Sequence, residues 1–152
     1  MSIVEGRIYT GQYIYIGQLS KVIPVQEFAV FYCIWQGIDP CAAIRALRGA
    51  IYHVHAKDAA NHRWNSQTNG NLDTKHYSNE ANRSWIFRTV GYGNPRSFWC
   101  DFVSALRMSG YDGVLSVEHE DSLMTPREGL EKGIRFLQGV ILSAPKGEVT
   151  WA

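Results

Sequence analysis

The chain has 152 residues, of which 45% are hydrophobic and 19% charged, a composition typical of one globular domain and not of a disordered chain. The formal net charge is +1, so charge gives no argument for nucleic acid or an acidic membrane surface as partner. Every apolar run is well short of the roughly 18 residues of a membrane span, and the 3 cysteines show no disulfide or zinc spacing. We therefore expect a cytoplasmic protein with reduced cysteines, no nucleic acid and no membrane.

Residues 1–34 form an atypical N-terminal segment without a motif that carries chemistry. Residues 8–16 are rich in β-branched and aromatic side chains, which predicts a strand. Residues 28–35 are a continuous apolar run that fits either a buried strand or a buried helix, because periodicity does not separate the two.

Helix signals become clear after residue 37. Asp39 followed by Pro40 is typical of an N-cap with proline at the first helical position, and we expect a short helix that ends by Gly49. Residues 97–108 have the apolar spacing of an amphipathic helix. Thr125, with proline next and glutamate three residues later, is a capping box that begins the last helix.

Two predicted strands carry reactive side chains. The first covers residues 50–58, and its polar face is formed by His53, His55 and Lys57. The second covers residues 113–121 and ends in Glu118, His119, Glu120 and Asp121. Since the C-terminal ends of parallel strands meet at one edge of a sheet, we expect a shared site there.

Between these strands lies a polar, asparagine-rich segment, residues 59–85, which we interpret as a long loop. It contains side chains suited to gripping a polar ligand, namely Arg63, Trp64, Lys75, Tyr77, Arg83 and Trp85. A solvated insertion without function is the alternative. A strand over residues 87–90 then leads into Gly91-Tyr92-Gly93, which fits a phosphate loop or a simple tight turn.

The elements from residue 37 onward therefore follow the order helix, strand, long loop, strand, helix, strand, helix. This alternation predicts an α/β fold with parallel strands.

Several of these motifs together resemble a known family. HVHAKD, LDTKHY, NRSWIFRTVGYG, SGYDGVLSVEHEDSLM and PREGLEKGIRFL resemble the sugar phosphate isomerase/epimerase family of xylose isomerase-like TIM-barrel proteins. A full barrel has eight strands and about 250 residues. The resemblance thus implies a partial (β/α)8 barrel, made of its C-terminal βα units over residues 35–142, with an unrelated N-terminal segment and a tail at 143–152.

The resemblance also implies roles for individual residues. The family interconverts sugars by moving a proton next to a carbonyl, with a divalent metal held by two Glu, one Asp and one His. His55 matches the metal-binding histidine, and Glu118 matches the glutamate that both binds the metal and moves the proton. His53, Lys57 and Asp58 match flanking strand-end positions, and Lys75 and Arg83 match positions in the substrate-side loop. Arg63 is not a family match; as an arginine in a polar loop it is a candidate for binding a sugar phosphate, with a solvated surface position as the alternative. The implied cofactor is Mn, Mg, Co or Zn.

The chain also departs from the family pattern. Residues 29–32 stand where related sequences carry the metal Asp and a substrate-binding His, and both polar groups are missing. Upstream, Glu5 and Glu27 do not match the context of the first metal Glu. We therefore expect an incomplete metal site in which metal binding is weak or absent.

Two functional hypotheses from different classes follow. The first is an isomerase/epimerase-type protein that acts on a sugar or sugar phosphate, with Glu118 as the catalytic group. The second is a non-catalytic, truncated α/β remnant that acts as an interaction or oligomerisation domain. Because a partial barrel leaves open edges, we expect a homo-oligomer in both cases. A metal-dependent endonuclease is disfavoured by the neutral charge.

Overall fold

The structure is a computed structural model that describes residues 2–4 and 27–150. Its main sheet has four strands, and every pairing in it is parallel. In spatial order these strands are β1 (Ser2–Val4), β6 (Val114–Val117), β3 (His53–Ala56) and β2 (Glu27–Ala29). The strand predicted over residues 8–16 lies outside the described residues.

Helices cover the apolar face of this sheet. Helix α1 (Val30–Gln36) follows β2 directly, α2 (Pro40–Ala46) packs against α4 (Arg96–Met108), and α5 (Pro126–Gln138) follows β6. The parallel α/β fold that the sequence predicts is confirmed in this sheet. Over the described residues the sheet is open, with β1 and β2 as its outer strands, as expected for part of a barrel.

The ambiguous apolar run contains both structures that the sequence allowed. The three residues of β2 pair with β3, and α1 begins at the next residue, Val30. Gly37 ends α1 in a left-handed conformation, with φ of 74°. The apolar run therefore supplies both an outer strand of the sheet and the first helix that covers it.

The segment predicted as one long loop has secondary structure of its own, so that prediction is wrong. It contains β4 (Asp58–Asn61), α3 (Arg63–Asn69) and a one-turn 3-10 helix (Glu80–Asn82). Strand β5 (Trp85–Arg88) runs antiparallel to β4 in a separate two-stranded sheet, so the expectation that it is parallel is also wrong. The chain leaves the main sheet at Lys57 and folds back on itself, which local sequence pattern does not predict.

The core lies between the apolar face of the main sheet and the helices. Phe28, Val54 and Leu115 stand side by side in the strand register and are almost fully buried. Trp99 and Phe102 of α4 pack against this face with no exposed surface. Because successive side chains of a strand point to opposite faces, the residues between these apolar ones must point away from the core. Among the described residues, no helix has the length and apolarity needed to cross a membrane.

Candidate functional site

The second face of the main sheet is polar at its C-terminal edge. Ala29, His55 and Ser116 stand at one level of the register. One residue earlier on β2, β3 and β6 are the buried Phe28, Val54 and Leu115, which point to the core. The polar face is formed by Glu27, His53, His55, Lys57, Ser116 and Glu118, of which Lys57 and Glu118 directly follow the ends of β3 and β6.

The two residues that the family resemblance assigns to metal and proton lie next to each other. His55 Nδ1 is 4.0 Å from Glu118 Oε2. The backbone N–H of Glu118 donates to the carbonyl oxygen of Ala56 at 3.3 Å, which holds residue 118 against the end of β3. Both side chains leave the same edge of the parallel sheet, as the alternation of the two strands predicted. Their metal-binding and catalytic roles remain predictions.

Lys57 joins Glu118 to the next acidic residue on the same loop. Its Nζ donates to Glu118 Oε1 at 2.8 Å and lies 2.7 Å from Glu120 Oε2. The Lys57 side chain is 5% exposed, whereas the side chains of Glu118 and Glu120 are 30% and 48% exposed. The cation is therefore buried while both carboxylates reach the surface.

Ser116 links the two histidines of β3. His53 Nε2 is 2.8 Å and His55 Nδ1 is 3.0 Å from the Ser116 hydroxyl oxygen. A hydroxyl has one hydrogen to donate, so at least one of the two imidazoles must be the donor to Ser116. Burial, together with the charge that His55 can carry, lowers the pKa of His53, although Glu27 opposes this shift. His53 is therefore held towards its neutral form.

Glu27 is a member of this polar face that the sequence analysis did not assign to the site. Its Oε2 lies 3.7 Å from His55 Nε2, on the side of the imidazole away from Glu118. The pairing of β2 with β3 brings Glu27 level with His53. Its position at the start of an apolar run could have placed Glu27 on a strand. Only the order of the strands in the sheet places it beside His55.

The three predicted substrate-binding residues of the segment between β3 and β5 make contacts inside that segment. Arg63 is exposed at the start of α3, over the Trp64 ring. Lys75 pairs with Asp73 at 3.3 Å. Asp73 also accepts from the backbone N–H groups of Lys75 and Ser84, and these bonds hold its pKa at about 2.

Arg83 differs from these two because it is 2% exposed. Its guanidinium carbon lies 4.3 Å from the Tyr77 ring centre and 4.8 Å from that of Trp85, and its Nε donates to the Trp85 carbonyl. Tyr77 in turn stacks on Phe87 at 5.5 Å. Arg83 thus anchors the segment beneath a half-exposed tyrosine, and its role in substrate binding remains a prediction.

The Gly91-Tyr92-Gly93 turn binds a side-chain carboxylate of the protein, that of Asp58. Asp58 Oδ2 accepts from the backbone N–H groups of Gly91, Gly93 and Asn94 at 3.0–3.1 Å. A Cβ on Gly93 would lie 2.5 Å from the Ala59 carbonyl oxygen, so this approach requires glycine. The turn therefore has a structural partner in Asp58, which the GxG spacing alone does not indicate.

The remaining charged residues after β6 are divided between the two faces. His119 packs on Gly129 of α5 and contacts Thr89, so it points away from Glu118, because successive side chains of an extended chain point to opposite faces. Asp121 is 2% exposed and accepts from the backbone of Thr89 and Leu123. Burial alone would raise the pKa of Asp121, but these bonds and the nearby Arg88 outweigh it and lower the pKa.

The donor set does not fit a complete divalent metal site. Two ligands at about 2.1 Å from one ion lie at most about 4.2 Å apart, so His55 and Glu118 can both reach a single ion. However, His55 Nδ1 is hydrogen-bonded to Ser116, and Glu118 is paired with Lys57. Over residues 2–4 and 27–150, no three His, Cys, Asp or Glu side chains are arranged to hold a metal ion.

The cysteines take no part in this cluster. Cys33, Cys41 and Cys100 are free thiols, and Cys33 is fully buried. Burial, with a contribution from Asp39, raises the pKa of Cys33 to about 12. Such a thiol is not a nucleophile at neutral pH.

Fold and site together define an α/β protein whose parallel sheet carries a cluster of histidine, lysine and glutamate at its C-terminal edge. No family model matches the chain. Over 110 residues it is 40% identical to "Uncharacterized protein YfiH" of Bacillus subtilis (strain 168). The alignment covers 72% of this chain and 35% of that protein, so the chain spans about a third of the length of the curated relative it matches.

One similar solved structure is a "xylose isomerase-like TIM barrel/4-hydroxyphenylpyruvate dioxygenase fusion protein". The sequence identity is 23%, and the TM-score is 0.44. The alignment covers 73% of this chain and 16% of the fusion protein. A likeness at this level assigns neither a family nor an activity.

Proposed function

We propose that the chain is an isomerase/epimerase-type protein, similar to the C-terminal part of such a barrel, that binds a sugar or sugar phosphate. In this proposal Glu118 takes a proton from the carbon next to the sugar carbonyl and returns it. The observation that carries the proposal is the 4.0 Å distance between His55 and Glu118 at one edge of a parallel sheet. These are the two positions to which the motif resemblance gives the metal and proton roles.

The contacts of Glu118 suit proton transfer. Its Oε1 accepts from Lys57, which fixes the orientation of the carboxylate, and its Oε2 faces His55. With 30% of the side chain exposed, the carboxylate can reach a ligand on the polar face. A positioned carboxylate of this kind contributes about 10²–10⁴-fold to the rate of such a reaction.

A divalent metal would polarise the carbonyl in such a reaction. His55 and Glu118 are the residues that would contact it, but the donor set described above is too small, and we infer that binding is weak or absent. We therefore assign no step to a metal. His53, Lys57, Arg63, Lys75 and Arg83 remain the proposed substrate-side residues, and cytoplasm remains the proposed location.

Deuterium exchange tests the proposed function. The protein is incubated in D2O with a panel of free and phosphorylated ketoses and aldoses, with and without Mn²⁺, and proton NMR follows the C–H next to the carbonyl. We expect wild-type protein to exchange this proton for at least one sugar, and Glu118→Gln to slow exchange by about 100-fold or more. The matched control is Glu131→Gln, because Glu131 is exposed on α5 and pairs only locally with Arg127. Wild-type protein that exchanges no sugar would contradict the proposal.

The open sheet supports self-association, which is the whole function of the second candidate, an interaction or oligomerisation domain, and is expected for the first candidate as well. β1 and β2 are outer strands over the described residues, and such strands pair readily with another chain. We propose that the protein forms homo-oligomers through this sheet. Size-exclusion chromatography with light scattering should show a dimer or larger species, and a folded monomer would refute self-association.

A further inference from the structure

Lys57 has the surroundings of a bound cation rather than those of a surface lysine. The residue is 4% exposed, and its ammonium contacts Glu118 Oε1 at 2.8 Å and Glu120 Oε2 at 2.7 Å. Two aromatic rings complete the surroundings, since Nζ lies 4.5 Å from the ring centres of both Phe31 and Phe87. Carboxylates and ring faces both stabilise a cation.

These contacts come from distant parts of the chain. Phe31 belongs to α1, Phe87 to β5, and the two glutamates to the loop after β6. The ammonium position therefore depends on the tertiary structure and not on one flexible loop. Two of its three N–H groups have carboxylate partners, and the aromatic rings occupy further directions around Nζ.

We propose that the Lys57 ammonium takes the place of a divalent metal ion as the cation of this site. It neutralises the glutamate that would otherwise be a metal ligand, and it repels a second cation that approaches His55. Lys57, Glu118 and Glu120 together carry a formal charge of −1, which becomes −2 when the lysine is replaced by a neutral residue. Lys57 is then a positioning residue that acts on Glu118.

This inference does not depend on which sugar binds or on whether any sugar is turned over. It concerns whether Glu118 is available to a metal, which binding measurements without substrate report directly. Failure of the inference is therefore distinguishable from failure of the proposed function.

Titration with Mn²⁺, followed by calorimetry and by electron paramagnetic resonance of the free ion, tests the inference. We expect no binding to the wild-type site at about 0.1 mM ion, and an affinity about 10- to 100-fold higher in Lys57→Met. Adding Glu118→Gln to that variant should remove the gain. Lys132→Met is the matched control, because the contacts of Lys132, an i,i+4 pair with Glu128 and the Tyr92 ring, lie outside the Lys57 cluster, and it should leave Mn²⁺ binding unchanged.

Two results would overturn the inference. One is tight Mn²⁺ binding to wild-type protein that Glu118→Gln abolishes, and the other is a Lys57→Met variant that folds, as judged by circular dichroism, without gaining affinity. If Lys57→Met does not fold, the decision comes from the imidazole proton signals of wild-type His55. Signals that stay sharp at equimolar Mn²⁺ support the inference, and paramagnetic broadening of them contradicts it.

Discussion

Lys57 and Asp58 are neighbours in the sequence, and both have buried side chains, but their surroundings differ. Lys57 is paired with two carboxylates that remain 30% and 48% exposed. Asp58 has no exposed surface, and its partners are backbone N–H groups of the Gly91–Asn94 turn, the Asn94 amide and the Trp99 indole. The Lys57 cluster therefore reaches the surface through its two carboxylates, whereas the Asp58 carboxylate is enclosed by the fold.

The difference shows how one short motif can serve both chemistry and stability. Because the chain passes from β3 to β4 at this point, consecutive side chains point to different parts of the molecule. Partners on rigid backbone fix Asp58 and connect β4 to α4. The partners of Lys57 are carboxylates on side chains that reach the surface, so this part of the cluster is accessible to a ligand.

The largest loss of folding stability is expected from Asp58→Asn. The amide offers one acceptor oxygen in place of two, and its NH2 would face donors that Asp58 now satisfies. We expect the free energy of unfolding to fall by about 3 kcal/mol, measured by urea denaturation.

Asp101→Asn serves as the control, since Asp101 is exposed on α4 and its replacement should change stability by no more than about 0.5 kcal/mol. Equal effects of the two substitutions would mean that Asp58 is not the structural anchor in this comparison.

A smaller loss of stability is expected from Gly93→Ala, which disturbs the contact between the turn and Asp58. The new Cβ would lie 2.5 Å from the Ala59 carbonyl oxygen and 2.7 Å from Asp58 Oδ1. The turn must move away from Asp58, at a cost of about 2 kcal/mol in thermal or urea unfolding. Gly147→Ala meets no atom within 4 Å and should be neutral. A neutral Gly93→Ala would show that the turn is free to move.

The smallest effect is expected on the pH dependence of stability, and it comes from His53 on the polar face of the sheet. Burial and His55 lower the pKa of His53 in the folded protein, against the opposing charge of Glu27. As pH falls below about 6.5, the unfolded chain binds the proton first, so the stabilising contribution of neutral His53 is lost. We expect stability to decline from about pH 7 to about pH 5 in urea denaturation, and the decline to be shallower in His53→Gln. His76→Gln, at an exposed position, should keep the wild-type slope.

Local signals predicted α2, α4 and α5, because the causes of these helices are local, whereas α3 was not predicted. Asp39 Oδ1 accepts from the Cys41 N–H at the start of α2, and Thr125 accepts from the Glu128 N–H at the start of α5. Both capping interactions join residues within one turn of helix. The pairing of β4 with β5 joins residues about 27 positions apart, and no pattern inside either strand specifies that partner or its antiparallel direction.

The sequence by itself determined that His53, His55 and Lys57 share one face of their strand and that Glu118 ends the other strand. Alternation along a strand is a property of the backbone, whereas the parallel pairing of β3 with β6 brought His55 and Glu118 to one edge of the sheet. Only the tertiary structure decided what surrounds them, because strand order places Glu27 at the far side of His55, and the rings that enclose Lys57 come from α1 and β5. Contacts between residues distant in the chain depend on packing, which a linear pattern does not specify.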